Sequence, residues 1–252
     1  MLTRIATFIF AFGSFIGVPL IANSATCTIP SHDNSVLGDS LYSPRICNQS
    51  HINKFWQDFD FDKDDWDDGF GYYDVCNIDK PLNRAFSSLW LLLFSAPDPA
   101  IATNDFDGNF LRWAYNYSAR EIDELDGRCG NGGTSGVLAT TYHGLFVNDR
   151  TQLKFPFFYG LSVSERSGTI VHEARHADGK GHDSCSCPRG GSCDSRWQDM
   201  KANTYGIYYL WWFIDSGINT TTAMKRRAQS RANTVLATGF CNATSFRLSY
   251  RL

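Results

Sequence analysis

The sequence predicts an α+β fold, predominantly helical with a small sheet and stapled by disulfides. Three observations carry that prediction. Several long segments repeat apolar residues at helical spacing between capping residues. One stretch, 137–147 (VLATTYHGLFV), concentrates β-branched and aromatic residues. Eight cysteines, an even number, all lie beyond an apolar leader.

The leader comes first. The chain opens with one basic residue, Arg4, then an apolar run over 5–22 broken by Pro19, then small residues ending at Ser24 or Ala25, so that residues 1–24 form the leader. That is the layout of a cleaved signal peptide. The expected mature chain, 25–252, is a single domain of about 228 residues with no linker or repeat, long enough to bury a sizeable core. It is expected to be secreted, or periplasmic in a bacterium, and monomeric, with no stable membrane association after signal cleavage. Cys27, Cys47, Cys76, Cys129, Cys185, Cys187, Cys193 and Cys241 then read as about four disulfides of undetermined pairing. Sequons at Asn48, Asn116, Asn219 and Asn242 are candidate glycosylation sites in a eukaryotic secretory pathway. A net charge of −3 leaves no basic footprint for nucleic acid.

Residues 58–74 (DFDFDKDDWDDGFGYYD) hold eight aspartates. The run reads as a solvated acidic loop, with a structural Ca2+ site as the alternative; an EF-hand register fails, since Lys63 falls at the glycine position. Residues 79–96 read as a buried helix with Pro81 in its first turn, and 110–125 as an amphipathic helix. The glycine-rich stretch 127–136 is a loop that lacks the lysine of a phosphate-binding loop. One or two strands are expected in 137–147 and another in 153–159.

A helix should start at Ser162, because Ser162 and Glu165 form a capping box, with Val163, Ile170, Ala174 and Ala177 facing the core. Arg175 and Asp178, three apart, are placed to pair on its surface. Two more helices are expected over 195–214 and 220–237.

The helix that starts at Ser162 carries the chemistry. Residues 171–183 read VHEARHADGKGHD, which contains H-E-x-x-H-x-x-G-x-x-H at His172, Glu173, His176, Gly179 and His182. Residues four apart share a helix face, so His172 and His176 can reach one metal ion. Glu173 projects beside that face, placed to take a proton from water rather than to ligate. Gly179 tolerates the positive φ that ends a helix and can turn His182 back towards the ion. From this composition the five-position match arises by chance roughly a few times in a million. Three histidines plus an open position are a catalytic zinc pattern.

The motif resembles the signature of the metzincin clan of zinc metallopeptidases, over about a twentieth of the chain. The resemblance implies a zincin-like fold with His172, His176 and His182 as Zn2+ ligands and Glu173 as general base. It also implies a methionine-containing turn below the metal, for which Met200 is better placed than Met224. Asp183, Asp194, Asp199 and His143 are alternative third ligands. Tyr205 is a candidate hydroxyl for stabilising an oxyanion. The segment 137–147 would lie along the cleft and pair with an extended peptide.

The expected function is therefore a secreted zinc metallopeptidase acting on a peptide or protein substrate. The alternative is a disulfide-rich binding or effector protein with a structural zinc or none, which a closed site completed by Asp183 or Asp194 would favour. A serine hydrolase ranks third, since no G-x-S-x-G occurs. Cys185, Cys187 and Cys193 are expected to staple the loop after His182 rather than to bind a second zinc.

Overall fold

The computed structural model describes residues 37–61, 66, 75–98, 109–129, 137–144, 147–185, 187–188, 193–242 and 246–249. The leader and most of the acidic run lie outside them. The described elements are α1 (Asp39–Ile46), α2 (Gln49–Asp58), α3 (Pro81–Phe94), α4 (Phe110–Glu121), β1 (Glu124–Arg128), β2 (Ala139–Gly144), β3 (Val147–Lys154), α5 (Phe155–Gly160), α6 (Val163–Ala177), a 3-10 turn (Trp197–Asp199), α7 (Ala202–Ser216) and α8 (Thr222–Thr238). The architecture is mostly helical with one small three-stranded sheet, as the sequence predicts.

Helix α6 is the axis of the fold. It packs against α3, α4, α7, α8 and β2, and Val163, Ile170, Val171 and Ala174 on it have no exposed surface. Its start is the predicted capping box: the Ser162 N–H and Oγ donate to Glu165 Oε2 at 2.8 and 2.6 Å. The sheet runs β1-β3-β2, with β1 parallel and β2 antiparallel to β3. Among the described residues strand β2 is therefore an edge of the sheet, and it packs on α6.

Three sequence expectations change. Helix α4 ends at Glu121 rather than running to 125, because Ile122 is already extended and Leu125 is drawn into β1 opposite Thr151. A parallel partner that distant in sequence overrides the local helical pattern. Residues 153–159 are not a strand of their own: β3 ends at Lys154, and Pro156 sits in the first turn of α5. The helix expected over 195–214 is broken, since Met200 adopts a left-handed conformation (φ 52°) after the 3-10 turn and α7 starts only at Ala202. Asp58, the first aspartate of the acidic run, accepts hydrogen bonds from Lys54 Nζ and Tyr115 Oη, each at 2.7 Å.

One charged cluster sits wholly inside the protein. Asp39, Arg84 and Arg166 are all 0% exposed. The Asp39 carboxylate pairs with Arg84 at 3.1 Å and with Arg166. Arg166 also donates to the Phe158 and Leu161 carbonyls and to Ser88 Oγ. Burial, with Arg166 nearby, pulls the Arg84 pKa down to about 10 against the opposing pull of Asp39. The cluster ties α1, α3 and α6 together across the core.

Candidate metal centre

The second half of α6 builds the site. The helix stops in a Schellman arrangement: the Gly179 N–H donates to the His176 carbonyl at 2.9 Å and the Lys180 N–H to Arg175 at 3.1 Å. Gly179 has φ +70° and a Cβ there would meet nothing within 4 Å, so the requirement for glycine is conformational rather than steric. The turn returns His182 to the helix. The ligand nitrogens of His172, His176 and His182 then all lie within 4.8 Å of one another.

A second glycine constraint brings α7 close to the first histidine. A Cβ on Gly206 would stand 3.1 Å from the Gly168 carbonyl oxygen and 3.4 Å from His172 Cβ. Helices α6 and α7 can approach this closely beside His172 because no side chain is there.

Two of the imidazoles are also held from behind: His176 Nδ1 meets the Lys180 carbonyl at 3.2 Å, and His182 Nδ1 meets Asp194 Oδ1 at 2.7 Å. An outer hydrogen bond of this kind fixes the tautomer and turns the other nitrogen's lone pair inward. His176 Nε2 and His182 Nε2 face each other at 3.1 Å. Tetrahedral ligands about 2 Å from a zinc ion stand about 3.3 Å apart, so this pair is spaced as two ligands of one ion. Three nitrogen donors oriented in this way suit a borderline-soft divalent cation.

Asp194 is the anchor of the third histidine, not a competing ligand. It is fully buried, and its second oxygen accepts the Asn203 N–H at 3.0 Å. Its backbone forms a bridge with Phe240, and the Cys241 N–H donates to its carbonyl at 2.9 Å. Disulfides Cys185–Cys241 and Cys187–Cys193 close the same loop. The sulfurs of Cys185, Cys193 and Cys241 also cluster within 4.8 Å, a spacing that could suit a metal, but as disulfides they offer no thiolate. Cys47 pairs with Cys76, and Cys129 is likewise in a disulfide.

Glu173 is 5% exposed and stands beside the histidines. Burial pushes its pKa up to about 7, against the hydrogen bond from Thr141 and the charge of His182. Thr141 Oγ1 donates to Glu173 Oε2 at 2.8 Å and contacts Thr151 Oγ1 at the same distance. This threonine comes from β2, so the sheet sets the orientation of a carboxylate on the helix. Burial also drives the His172 pKa well below its ordinary value, with His176 and His182 adding to the effect, which favours the neutral imidazole that ligates a metal.

Histidines and carboxylate share one cavity of about 710 Å³. Its walls are β2 with the two residues before it, the exposed face of α6, and Ile207, Leu210, Arg231 and Val235 from α7 and α8.

The other sequence candidates fall elsewhere. Tyr205 does not line the cavity: its ring packs among Phe110, Trp113 and Tyr117, with the Arg175 guanidinium 4.1 Å over its face. The oxyanion role expected of it has no geometric support, because α7 turns this position inward to the core. Arg175 pairs with Asp178 as expected, but it also donates to the Met200 carbonyl at 2.9 Å, so it braces the left-handed turn instead of lying free on the surface. Asp183 is held by Lys201 and by the Ser195 N–H, which keep its carboxyl at about 2. Asp199 pairs with Arg196 at 3.1 Å. The His143 side chain lies outside the described residues.

Three contributors were not read from the sequence in these roles: Thr141, Asp194 as a hydrogen-bond acceptor, and Arg231. Helical spacing marks none of them, since each reaches the site from another element. Comparison with protein-family models, with curated proteins and with solved structures gives no match.

Proposed function

We propose that this chain is a secreted zinc metallopeptidase with a zincin-like centre, in which His172, His176 and His182 hold one zinc ion and Glu173 is the general base. The observation that carries this reading is the placement of three inward-facing imidazoles and one buried carboxylate on a single open cavity. A structural zinc would call for a fourth protein ligand. Asp183 and Asp194, the candidates for it, are both engaged in other hydrogen bonds.

When bound, zinc would supply a Lewis acid that polarises the scissile carbonyl and acidifies water. The chain's own groups do the rest. Thr141 holds one oxygen of Glu173, leaving Oε1 to accept a proton from the attacking water and later pass it to the leaving amine. Asp194 keeps His182 in the tautomer that ligates. Residues 137–141 put an edge strand along the cavity, where an extended peptide can add its backbone to β2.

The test is metal analysis of the purified protein together with a mixed peptide library read by mass spectrometry. One zinc per chain and cleavage of the library are expected. Glu173→Gln should keep the zinc and lose about 10²- to 10⁴-fold in rate, because an amide of the same volume cannot accept the proton. Full zinc occupancy in a His172→Ala/His176→Ala double variant would overturn the metal assignment. A zinc-loaded wild type that cleaves nothing in the library would overturn the peptidase reading.

A further inference from the structure

Helix α8 contributes a charged group to the cavity that the proposed chemistry does not use. Arg231 lines the same cavity as His172 and Glu173. It is the one Lys or Arg among the described lining residues, and it makes no hydrogen bond or ion pair with any described residue. The acidic group that acts on it through space is Glu165. Its Oε2 is already engaged: it accepts from the Ser162 N–H and Oγ and stands 3.5 Å from Arg227 Nη1.

A half-buried guanidinium without a partner keeps most of the desolvation penalty of a charge and little of the compensating attraction. Its planar fork of donors matches a carboxylate in geometry as well as in sign. Glu165 and Glu173 lie on the α6 wall of the same cavity, and the remaining wall offers apolar surface from Leu210 and Val235 on the helix side and Val137, Leu138 and Ala139 on the strand side. The combination suits a ligand with an apolar body and one anionic end.

We infer that Arg231 is the specificity-determining residue of the cavity and binds a carboxylate of the substrate, so that the chain acts on peptides carrying a free carboxylate next to an apolar residue. The inference rests on the hydrolase reading only in calling the ligand a substrate. The carboxylate is either the chain terminus of the peptide or an acidic side chain. Both present the same group to Arg231.

The experiment is calorimetric titration of the full chain, zinc-loaded and zinc-free, with N-acetyl-leucine, with its neutral amide, and with N-acetyl-isoglutamine, whose only carboxylate is on the side chain. The better of the two acids is expected to bind at least about 10-fold more tightly than the amide, the scale of one charge-assisted bidentate contact. Arg231→Gln should remove that ratio, and Arg231→Lys should retain part of it. A preference confined to N-acetyl-leucine identifies a terminal carboxylate, and one for N-acetyl-isoglutamine an acidic side chain.

Equal affinity for acids and amide in the wild type, or an acid preference that survives Arg231→Gln in a folded protein, overturns the inference. If Arg231→Gln does not fold, the wild-type ratio together with Arg231→Lys decides. Acid preference in a protein that takes up no zinc would leave the anion site standing and remove the hydrolase reading; zinc uptake without acid preference would do the reverse.

Discussion

Helix α6 carries two polar clusters, and they are assembled on opposite rules. In its first half Arg166 joins Asp39 and Arg84, and every member is fully buried. In its second half His172 and His176 meet His182 on the wall of a cavity. The first cluster brings opposite charges together, so the protein supplies its own counter-ion. The second brings like groups together: two Nε2 atoms face each other at 3.1 Å while the outer nitrogens are already hydrogen-bonded to acceptors. A cluster of acceptors that face one another can be completed by a cation from outside, as the proposed zinc would do. Opposed charge marks a cluster that holds the fold, and convergent like groups with fixed outer bonds mark one prepared to bind.

The sharpest way to break this comparison is Asp39→Asn. Two fully buried guanidinium groups would lose their counter-charge, and a loss of about 3–5 kcal/mol in unfolding free energy by urea titration is expected. A loss below about 1 kcal/mol would mean that the two clusters do not differ in kind.

The converse change is His176→Ala. Zinc at about 1,000 times its dissociation constant should stabilise the wild type by about 4 kcal/mol and this variant hardly at all, as read from melting curves with and without the metal. Equal stabilisation of both would place the zinc elsewhere.

Asp194→Asn sharpens the comparison. It keeps the volume and one acceptor oxygen but weakens the support of His182 Nδ1, and zinc affinity measured against a chelator should fall about 10- to 100-fold with the fold retained. Unchanged affinity would show that the loop backbone alone orients His182.

The smallest effect is expected from Gly179→Ala. The added Cβ meets no neighbour, so its penalty is that of the left-handed conformation alone, about 1–2 kcal/mol. Zinc affinity measured against a chelator should fall with it, because the same turn returns His182 to the helix; unchanged zinc affinity in a destabilised variant would show that the loop holds His182 without the turn.

Much of α6 was legible because its signals are local. The Ser162–Glu165 box, the apolar stripe and the glycine stop act within one or two turns, and the structure keeps all three. The elements whose local pattern differs from their structure depend on distant partners. Leu125 leaves a helical pattern for a strand because β3 is there to pair with it. Met200 interrupts an apparent helix at a turn that Arg175 braces from α6.

The sequence by itself determined the spacing of His172, Glu173, His176 and His182, the helix that presents the first three, and the cysteines available to fix the following loop, because covalent spacing and helical period set those relations. Only the tertiary structure decided which way each group faces. Thr141 comes from a strand, Asp194 from a loop bridged to the segment after α8, Arg231 from α8, and Asp39 from α1 to pair with Arg166. Hydrogen bonds and ion pairs of this kind reward proximity in space, and proximity between elements is set by how their apolar faces pack rather than by their order along the chain.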